Sequence, residues 1–366
     1  MKLLKKKAKK LFAHSRQKKK RVCLFYLDYS TFVREDDNIL SSEFDLTKYR
    51  FVTSKIIGLF IYQFIKQFWF LLLNIRKFDV IYCWFSDYHS FLPMLFGKIF
   101  SKKNIIIVGG YDAVALPEIN YGVFQKKDIR SFLARLSFRF ANLIIPVDES
   151  LIYSDNNFTN KNGIKLGVKH FVKNLKAKFV VVPTGYDYQK WKRRNTPKKN
   201  IVLTVASIPD SKTIVLKGVD LFIEISKIMN SIEFIIIGVK DNMFPALNKI
   251  IGNNVKLIGF ATSEELLKYY SEAKVFCQLS VSEGLPNTLC EAMLCECIPV
   301  GSNVGGIPTA IAEHGFILQN KDINEAKKVI KKALDAPEQF GLEARQHIIN
   351  NFGIEKRKNS LFNLLS

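Results

Sequence analysis

Acidic residues are scarce in this sequence. Its 366 residues include 33 Asp and Glu against 55 Lys and Arg, which gives a formal net charge of +22 at pH 7. Eleven of the first 21 residues are basic and none is acidic, so half of the excess lies in one leader. A charge of this size favours a protein with an anionic partner.

Cysteine is also sparse, and nothing accompanies it at the spacing of a metal site. Cys295 and Cys297 form the closest pair, but they lack partners at zinc spacing. No secretory signal precedes the cysteines, and several lie within apolar strands, so we expect reduced, buried thiols in a cytosolic protein. The six are Cys23, Cys83, Cys277, Cys290, Cys295 and Cys297.

The leader, residues 1–21, lacks the long apolar region of a signal peptide. Leu4, Ala8, Leu11 and Phe12 fall at helical spacing among lysines, which predicts a basic amphipathic segment suited to an anionic membrane surface. A solubilising tail and a nucleic-acid arm are the alternatives. Phe12 is the only aromatic residue of the leader, whereas stacking on bases needs several, so nucleic acid is the least favoured partner.

The most apolar stretch is residues 56–73. Gln63, Lys66 and Gln67 lie in its middle, and a central lysine disfavours a membrane span. Apolar side chains occur nearly all round the helix, so we interpret the stretch as a buried helix. A helix lying in the membrane plane is the alternative, and a true span is less favoured.

Apolar strands alternate with helices along the whole chain. This pattern predicts parallel sheets with helices on both faces, and ligands in such sheets bind beyond the carboxyl ends of the strands. The length allows about two domains. The predicted strands include residues 21–27, 79–85, 104–108, 201–206, 233–238, 254–259 and 273–279.

One stretch carries most of the chemistry, Ser282-Glu-Gly-Leu-Pro-Asn-Thr-Leu-Cys-Glu-Ala-Met293. Pro286 is suited to the first position of a helix, whose free backbone N–H groups bind anions. Glu283 precedes that helix and Glu291 lies about two turns later. Two carboxylates therefore bracket one anion site, which suits a diphosphate with hydroxyl groups on both sides.

These two glutamates, followed by Val-Gly-Gly-Ile-Pro at residues 304–308, resemble the donor-site signature of the family 4 glycosyltransferases, or glycosyl transferases group 1. These are retaining enzymes of the GT-B fold. The resemblance implies an α/β protein with two Rossmann-like domains facing a cleft. It implies domains at residues 22–188 and 189–345, and a final helix at 346–366 that returns to the first domain.

The same resemblance implies roles for individual residues. Glu283 contacts the transferred sugar, Glu291 contacts the ribose, and Lys217 neutralises the donor diphosphate. Phe260 lies in the loop that contacts the base. The residues between the glutamates that form the cradle for sugar and diphosphate are Gly284, Asn287, Thr288 and Leu289.

The sequence departs from the family pattern at two loops. Ala206-Ser207 stands where a Gly-Arg pair usually helps to bind the diphosphate, and Lys212 is the candidate replacement. Lysine does not reproduce the bidentate geometry of arginine, so donor affinity is less certain than the fold. The loop at residues 28–34 also lacks the usual glycine pair.

Acceptor-side residues are expected at the ends of two strands of the first domain. Gly110 and Asp112 belong to a Gly-Gly-Tyr-Asp turn that permits close backbone approach. Asp112 is the candidate acceptor contact or base, and His89 is the weaker candidate. The alternatives are a turn-capping Asp and a structural His.

The expected function is retaining transfer of a hexose from a nucleoside diphosphate sugar to a hydroxyl of a glycan or lipid-linked acceptor. The resemblance implies no cofactor beyond this co-substrate and no required metal. Cell-envelope polysaccharide or glycolipid assembly at the cytoplasmic face of the plasma membrane is the expected setting. The alternatives are another GT-B enzyme, such as a nucleotide-sugar epimerase or glucan synthase, and a basic nucleic-acid or membrane binding protein without catalysis.

Overall fold

The computed structural model describes residues 19–159 and 163–366. Residues 1–18 lie outside this part of the chain, and with them nearly all of the basic leader. The amphipathic character predicted for the leader therefore stays a prediction.

The first half of the chain forms a sheet of six parallel strands in the order β2-β1-β3-β4-β5-β8. The predicted strands at residues 21–27, 79–85 and 104–108 are confirmed as β1, β3 and β4. Their apolar runs are buried, as in parallel sheets covered on both faces. The strands, with the antiparallel pair β6 and β7, are β1 Arg21–Tyr26, β2 Asp45–Arg50, β3 Val80–Trp84, β4 Lys103–Val108, β5 Leu143–Pro146, β6 Ser154–Asn156, β7 Ile164–Leu166 and β8 Lys178–Phe179.

Within the described residues, five α-helices accompany this sheet. The capping box of Asp87 and Ser90 begins the third of them directly after β3. The expectation that His89 lies at the end of a strand therefore missed this helix. The helices are α1 Thr31–Glu43, α2 Ile57–Asn74, α3 Tyr88–Ile99, α4 Ile129–Phe140 and α5 Val168–Phe171.

The second half forms another sheet of six parallel strands, in the order β11-β10-β9-β12-β13-β14. This is the Rossmann order, with its switch point between β9 and β12. The strands are β9 Lys199–Ile208, β10 Glu233–Val239, β11 Val255–Ile258, β12 Ala273–Gln278, β13 Ile298–Ser302 and β14 Phe316–Leu318. The helices are α6 Ser211–Leu216, α7 Val219–Ile228, α8 Phe244–Asn248, α9 Ser263–Glu272, α10 Asn287–Leu294, α11 Ile307–Ile311, α12 Ile323–Asp335, α13 Gln339–Phe352 and α14 Ile354–Leu365.

Helix α14 returns to the first domain, as predicted. The Phe362 ring packs against Phe44 with 5.7 Å between centroids. Arg357 reaches Asp36 in α1 through two hydrogen bonds of 2.6 and 2.7 Å, and both residues are buried. The Asp36 carboxylate also accepts from Tyr82 and Trp84, so the last helix is joined to the core of the first sheet.

The interpretation of residues 56–73 as a buried helix is wrong. In α2 only Gln67 and Leu71 are buried, and Trp69 is 55% exposed. The helix packs one stripe on the sheet, where Phe70 meets Tyr49 at 4.6 Å. No described element covers its outer face, so its all-round apolar composition did not indicate burial.

Glu296 ends helix α10 with a left-handed backbone, φ 63°, where a glycine is usual. Its carboxylate pairs with Arg193 at 3.0 Å, in the segment between the two sheets. Glu296 thus makes a side-chain contact that a glycine could not make.

Candidate active site

The loop after β12 places Glu283 at the switch point of the second sheet. Its Oε1 atom accepts from Lys217 Nζ at 2.6 Å, from Ser280 Oγ at 2.9 Å and from Gln278 Nε2 at 3.2 Å. Three donors therefore fix one oxygen of the carboxylate. The structure brings together Glu283 and Lys217, which the sequence assigned to sugar and diphosphate.

Gly218 is the reason that Lys217 reaches this loop. Its φ is 67°, and a Cβ at this position would lie 1.9 Å from the Leu279 carbonyl oxygen. Only glycine allows this approach, which sets the end of α6 against the end of β12. Lys217 is the residue at that helix end, so its ammonium group meets Glu283.

Glu283 and Lys217 line a cavity of about 310 Å³ between the two sheets. The first half of the chain contributes mainly aromatic and backbone surface, and the second half contributes the charged and amide groups. Lining residues include Phe32, Trp84, Phe85, Gly109, Thr184, Ala206, Ser207, Lys217, Gln278, Glu283, Gly284, Asn287 and Thr288.

The two halves touch through glycines at one edge of this cavity. A Cβ on Gly284 would lie 2.2 Å from the Gly109 carbonyl oxygen. A Cβ on Gly110 would lie 3.0 Å from the Gly284 amide nitrogen. Gly110 thus lies beside the motif of the second half, where any side chain on Gly284 would force the halves apart.

Helix α10 begins at Asn287, so Pro286 precedes the helix and is not its first residue. No side chain caps this end, and its first backbone N–H groups are available to an anion. Asn287 Oδ1 accepts from Tyr186 at 3.0 Å, and Thr288 Oγ1 donates to Gln278 at 3.2 Å. Leu289 is fully buried, so only its backbone is suited to the cradle.

Glu291 lies one pocket away from Glu283. It is 8% exposed, and it lines a pocket of about 40 Å³ that shares Phe32, Thr184 and Asn287 with the larger cavity. Burial raises the pKa of this carboxyl to about 8, although the Lys190 ammonium opposes the shift. The two glutamates thus bracket the start of α10, as the spacing predicts.

Two predicted donor contacts lie away from the cavity. Lys212 is exposed on α6 and does not line it, whereas Ser207 does, so the structure gives no support to Lys212 as the replacement for arginine. Phe260 is 82% exposed beyond the end of β11. Among the described residues, Lys217 is the cation that lines the cavity.

The position of Asp112 argues against the expected role of this residue as an acceptor contact or base. It has no accessible surface, and its carboxylate accepts from the backbone N–H groups of Ser86, Gly109 and Gly110 at 2.9, 3.1 and 3.3 Å. Burial raises its pKa to about 7 against the effect of these amides. The carboxylate holds the loop after β4 and has no exposed surface for an acceptor, which matches the turn-capping alternative.

His89 is also a structural residue and not an acceptor contact. It lies in α3, is fully buried, and bonds the Trp84 carbonyl oxygen through Nε2 at 2.9 Å. Burial lowers its pKa, so the imidazole is held neutral. Its position in a helix, and not in a strand-end loop, removes it from the cavity wall.

Sequence reasoning missed Arg130, which lines a second depression of about 300 Å³ next to the cavity. Its guanidinium donates to Asp87 Oδ1 at 2.8 Å and to the Tyr111 hydroxyl at 2.8 Å. The depression shares Phe32, Trp84 and Phe85 with the cavity, so it is the candidate acceptor side. No motif could reveal it, because Asp87 and Arg130 lie 43 residues apart.

No group of three or more His, Cys, Asp or Glu side chains within residues 19–159 and 163–366 could hold a metal ion. One described helix, 57–77, is long and apolar enough to cross a membrane by length and composition alone.

Comparison with known proteins supports the resemblance noted for the second half of the chain. Residues 185–352 match the family model described as glycosyl transferases group 1. The serotype-specific mannosyltransferase WbdA of Escherichia coli is 31% identical over 91 residues, which are 25% of this chain and 11% of that protein. The trehalose synthase of Thermococcus litoralis is 27% identical over 46% of this chain and 45% of that protein. The chain thus spans less than half the length of these curated relatives.

Solved structures match nearly the whole chain at low identity. The sucrose-phosphate synthase of Thermosynechococcus elongatus superposes with a TM-score of 0.70 at 14% identity, covering 94% of this chain and 98% of that one. HepE of Anabaena, solved in complex with UDP-glucose, gives 0.67 at 13% identity, covering 94% and 99%. The chain therefore has the two-domain Rossmann-like GT-B fold, as predicted.

Proposed function

We propose that this protein is a retaining, family 4 glycosyltransferase that moves a hexose from a nucleoside diphosphate sugar to an acceptor hydroxyl. One observation carries the proposal. Lys217, Glu283 and the uncapped start of α10 line the same cavity, at the switch point of a Rossmann sheet. A cation and free amides suit a diphosphate, and a carboxylate suits the hydroxyls of a sugar.

The chemistry we propose is the one that the resemblance to the family 4 glycosyltransferases implies. Lys217 and the α10 amides stabilise the negative charge that develops on the leaving diphosphate. Glu283 orients the sugar through its hydroxyl groups, and Glu291 accepts from the ribose. The acceptor attacks from the face that the diphosphate leaves, and the departing phosphate accepts its proton, so the enzyme supplies no nucleophile. The anomeric configuration is retained, and no metal or further cofactor takes part.

The setting we propose is cell-envelope polysaccharide or glycolipid assembly, on the cytoplasmic face of the plasma membrane. The acceptor is a glycan or a lipid-linked glycan. The basic leader supports this proposal through its charge alone.

A thermal-unfolding screen against UDP, GDP, ADP, CDP, NAD and a mixed oligonucleotide tests donor binding. A ligand at 100 times its dissociation constant stabilises by about 2.7 kcal/mol, which is a shift of several degrees. We expect one nucleoside diphosphate to shift the midpoint. A shift with the oligonucleotide alone would favour the basic binding protein.

Transfer is then measured with the sugar donors of that base, in the wild type and in Glu283→Ala. We expect Glu283→Ala to fold and to lose transfer, while Glu313→Ala, an exposed glutamate of the same domain, keeps it. Full activity of Glu283→Ala would refute the sugar role. Release of a free sugar isomer would instead indicate an epimerase, and elongation of a glucan without a lipid acceptor a glucan synthase. The product's anomeric configuration and activity in EDTA test the retaining and metal-free parts.

A further inference from the structure

Helix α2 has one packed face and one exposed apolar face. On the packed face Phe60 and Phe64 meet Phe51 at 6.0 and 5.2 Å, and the Gln67 amide donates to the His89 carbonyl oxygen at 2.9 Å. The opposite face carries large apolar side chains, each more than half exposed: Ile57, Ile61, Tyr62, Ile65, Trp69 and Leu73. We call these six residues the outer face of α2.

The end of α3 carries a further exposed apolar side chain, and it lies near the residues that follow α2. Ile99 is 64% exposed there, and the Arg76 guanidinium lies 5.7 Å from the ring centroid of the neighbouring Phe100. A contiguous apolar surface of this kind marks an interaction site on a soluble protein.

The charge around this surface has one sign. Residues 46–78 contain six Lys and Arg and no Asp or Glu. Lys55 lies before the helix, Lys66 lies in its middle, and Arg76 and Lys77 lie after it, all of them exposed. Apolar side chains with basic residues among them are the composition of a helix that lies in an anionic membrane interface.

The packed face decides how such a helix can meet a bilayer. Phe70 lies against Phe25 and Tyr49 of the sheet, at 6.3 and 4.6 Å, and Leu71 is fully buried. A helix that crossed the membrane would have to leave these contacts and expose the core of the first domain. A helix lying in the membrane plane keeps them and buries only its outer face.

The start of α2 is also joined to the candidate active site. Ile57 and Phe60 line a depression of about 490 Å³, which shares Leu27, Asp87 and Arg130 with the acceptor-side depression. That depression in turn meets the cavity of Glu283. A surface that held α2 would therefore lie at one end of a continuous groove to the reacting centre.

We propose that the outer face of α2 docks in the plane of an anionic membrane surface. Its residues are distinct in sequence from the basic leader, and the proposal does not depend on donor chemistry. It places the first domain against the lipid with the groove opening beside it.

Flotation with vesicles tests this in the full-length protein. The vesicles contain phosphatidylcholine alone, or phosphatidylcholine with 30% phosphatidylglycerol. We compare the wild type with Ile61→Ser/Ile65→Ser/Trp69→Ser and with a control, Ile250→Ser/Leu342→Ser, which changes exposed apolar residues of the second half. We expect the triple variant to lose more than about tenfold in partitioning onto the anionic vesicles, and the control to match the wild type.

Fluorescence gives a second readout, because Trp69 is 55% exposed whereas Trp84 and Trp191 are buried. Brominated lipids should quench the wild type on the anionic vesicles. Trp69→Phe should bind equally well without that quenching.

Three results would overturn the proposal. The first is equal vesicle binding by the triple variant, which would assign binding to the leader. The second is equal binding to neutral and anionic vesicles. The third is a wild-type dimer, seen by light scattering, that the triple variant dissolves while neither protein binds vesicles, since the occupant would then be a second copy. The nucleotide-induced shift in unfolding is measured in parallel, so a failure of donor binding and a failure of docking are separate outcomes.

Discussion

Replacing Glu291 by glutamine should raise the free energy of unfolding at neutral pH and weaken nucleotide binding. The carboxyl is 8% exposed, and burial raises its pKa from an ordinary 4.5 to about 8. The folded state therefore holds a proton that the unfolded chain releases above pH 4.5. Stability from this group is complete below pH 4.5 and is lost as the pH rises to about 8.

The size of the effect follows from the same pKa. The buried carboxyl lowers the free energy of unfolding by about 3 kcal/mol at pH 7 and by about 5 kcal/mol above pH 9. Glutamine has nearly the same shape and cannot ionise. We expect Glu291→Gln to match the wild type near pH 4.5 and to exceed its free energy of unfolding by about 3 kcal/mol at pH 7. Urea unfolding at pH 5, 7 and 8.5 measures this gap.

The same substitution should lower nucleotide affinity although it raises stability. If the ionised Glu291 accepts from the ribose hydroxyls, nucleotide affinity of the wild type should rise between pH 7 and 8.5. The variant should bind weakly, with no such rise. It should also lose the preference for the ribose over the 2′-deoxy nucleotide. A stability gap that is the same at pH 5 and pH 8.5 would refute the burial argument, and unchanged ribose preference would refute the assigned contact.

Three further perturbations follow from contacts described above. Arg357→Met should cost about 3–5 kcal/mol of unfolding free energy because it leaves the Asp36 carboxylate buried without its charge partner. Adding Asp36→Asn should cost less than the sum of the two single changes in urea titrations, and strict additivity would contradict the pairing. Asp112→Asn should lower stability by about 1–3 kcal/mol, since an amide oxygen cannot satisfy three N–H groups, while turnover of the folded protein is kept. A specific loss of turnover would return Asp112 to the site. Lys217→Ala should lower kcat about 100-fold, with its circular dichroism spectrum unchanged, and an effect on KM alone would limit Lys217 to binding.

The parallel sheets, and the grouping of Glu283 with the start of α10, could be predicted because their signals are local. Buried strands such as β3 and β4 are short apolar runs, and the span from Glu283 to Glu291 is one loop and one helix. The motif alone gave both carboxylates and the uncapped helix start. The structure places Glu283 and the helix start at the cavity, and Glu291 in the small pocket next to it.

The acceptor side could not be predicted in the same way. Asp112 and His89 follow strands, which made them candidates, but side-chain direction decided against both. Asp112 turns back onto its own loop, and His89 lies within a helix whose capping box was overlooked. Arg130 meets Asp87 only through tertiary packing, which no spacing encodes.

The prediction that helix α2 is buried failed for another reason. Hydrophobicity tells how favourable it is for a side chain to leave water, but it does not tell what will cover that side chain. Phe70 is covered by the sheet, whereas Trp69, its neighbour, is not. The sequence is equally apolar at both positions.

The ion pair between Asp36 and Arg357 limits which fragments of this protein can fold. The Lys20 ammonium also donates to the Leu365 carbonyl oxygen at 3.2 Å, so the two ends of the described chain meet. A fragment ending near residue 188 would contain the first sheet without helix α14, which packs against the first domain. We expect such a fragment to be unstable, and a permuted chain that carries residues 353–366 ahead of residue 19 to restore it. The first domain is thus assembled from two distant parts of the sequence, and a ribosome must translate as far as α14 before this half can close.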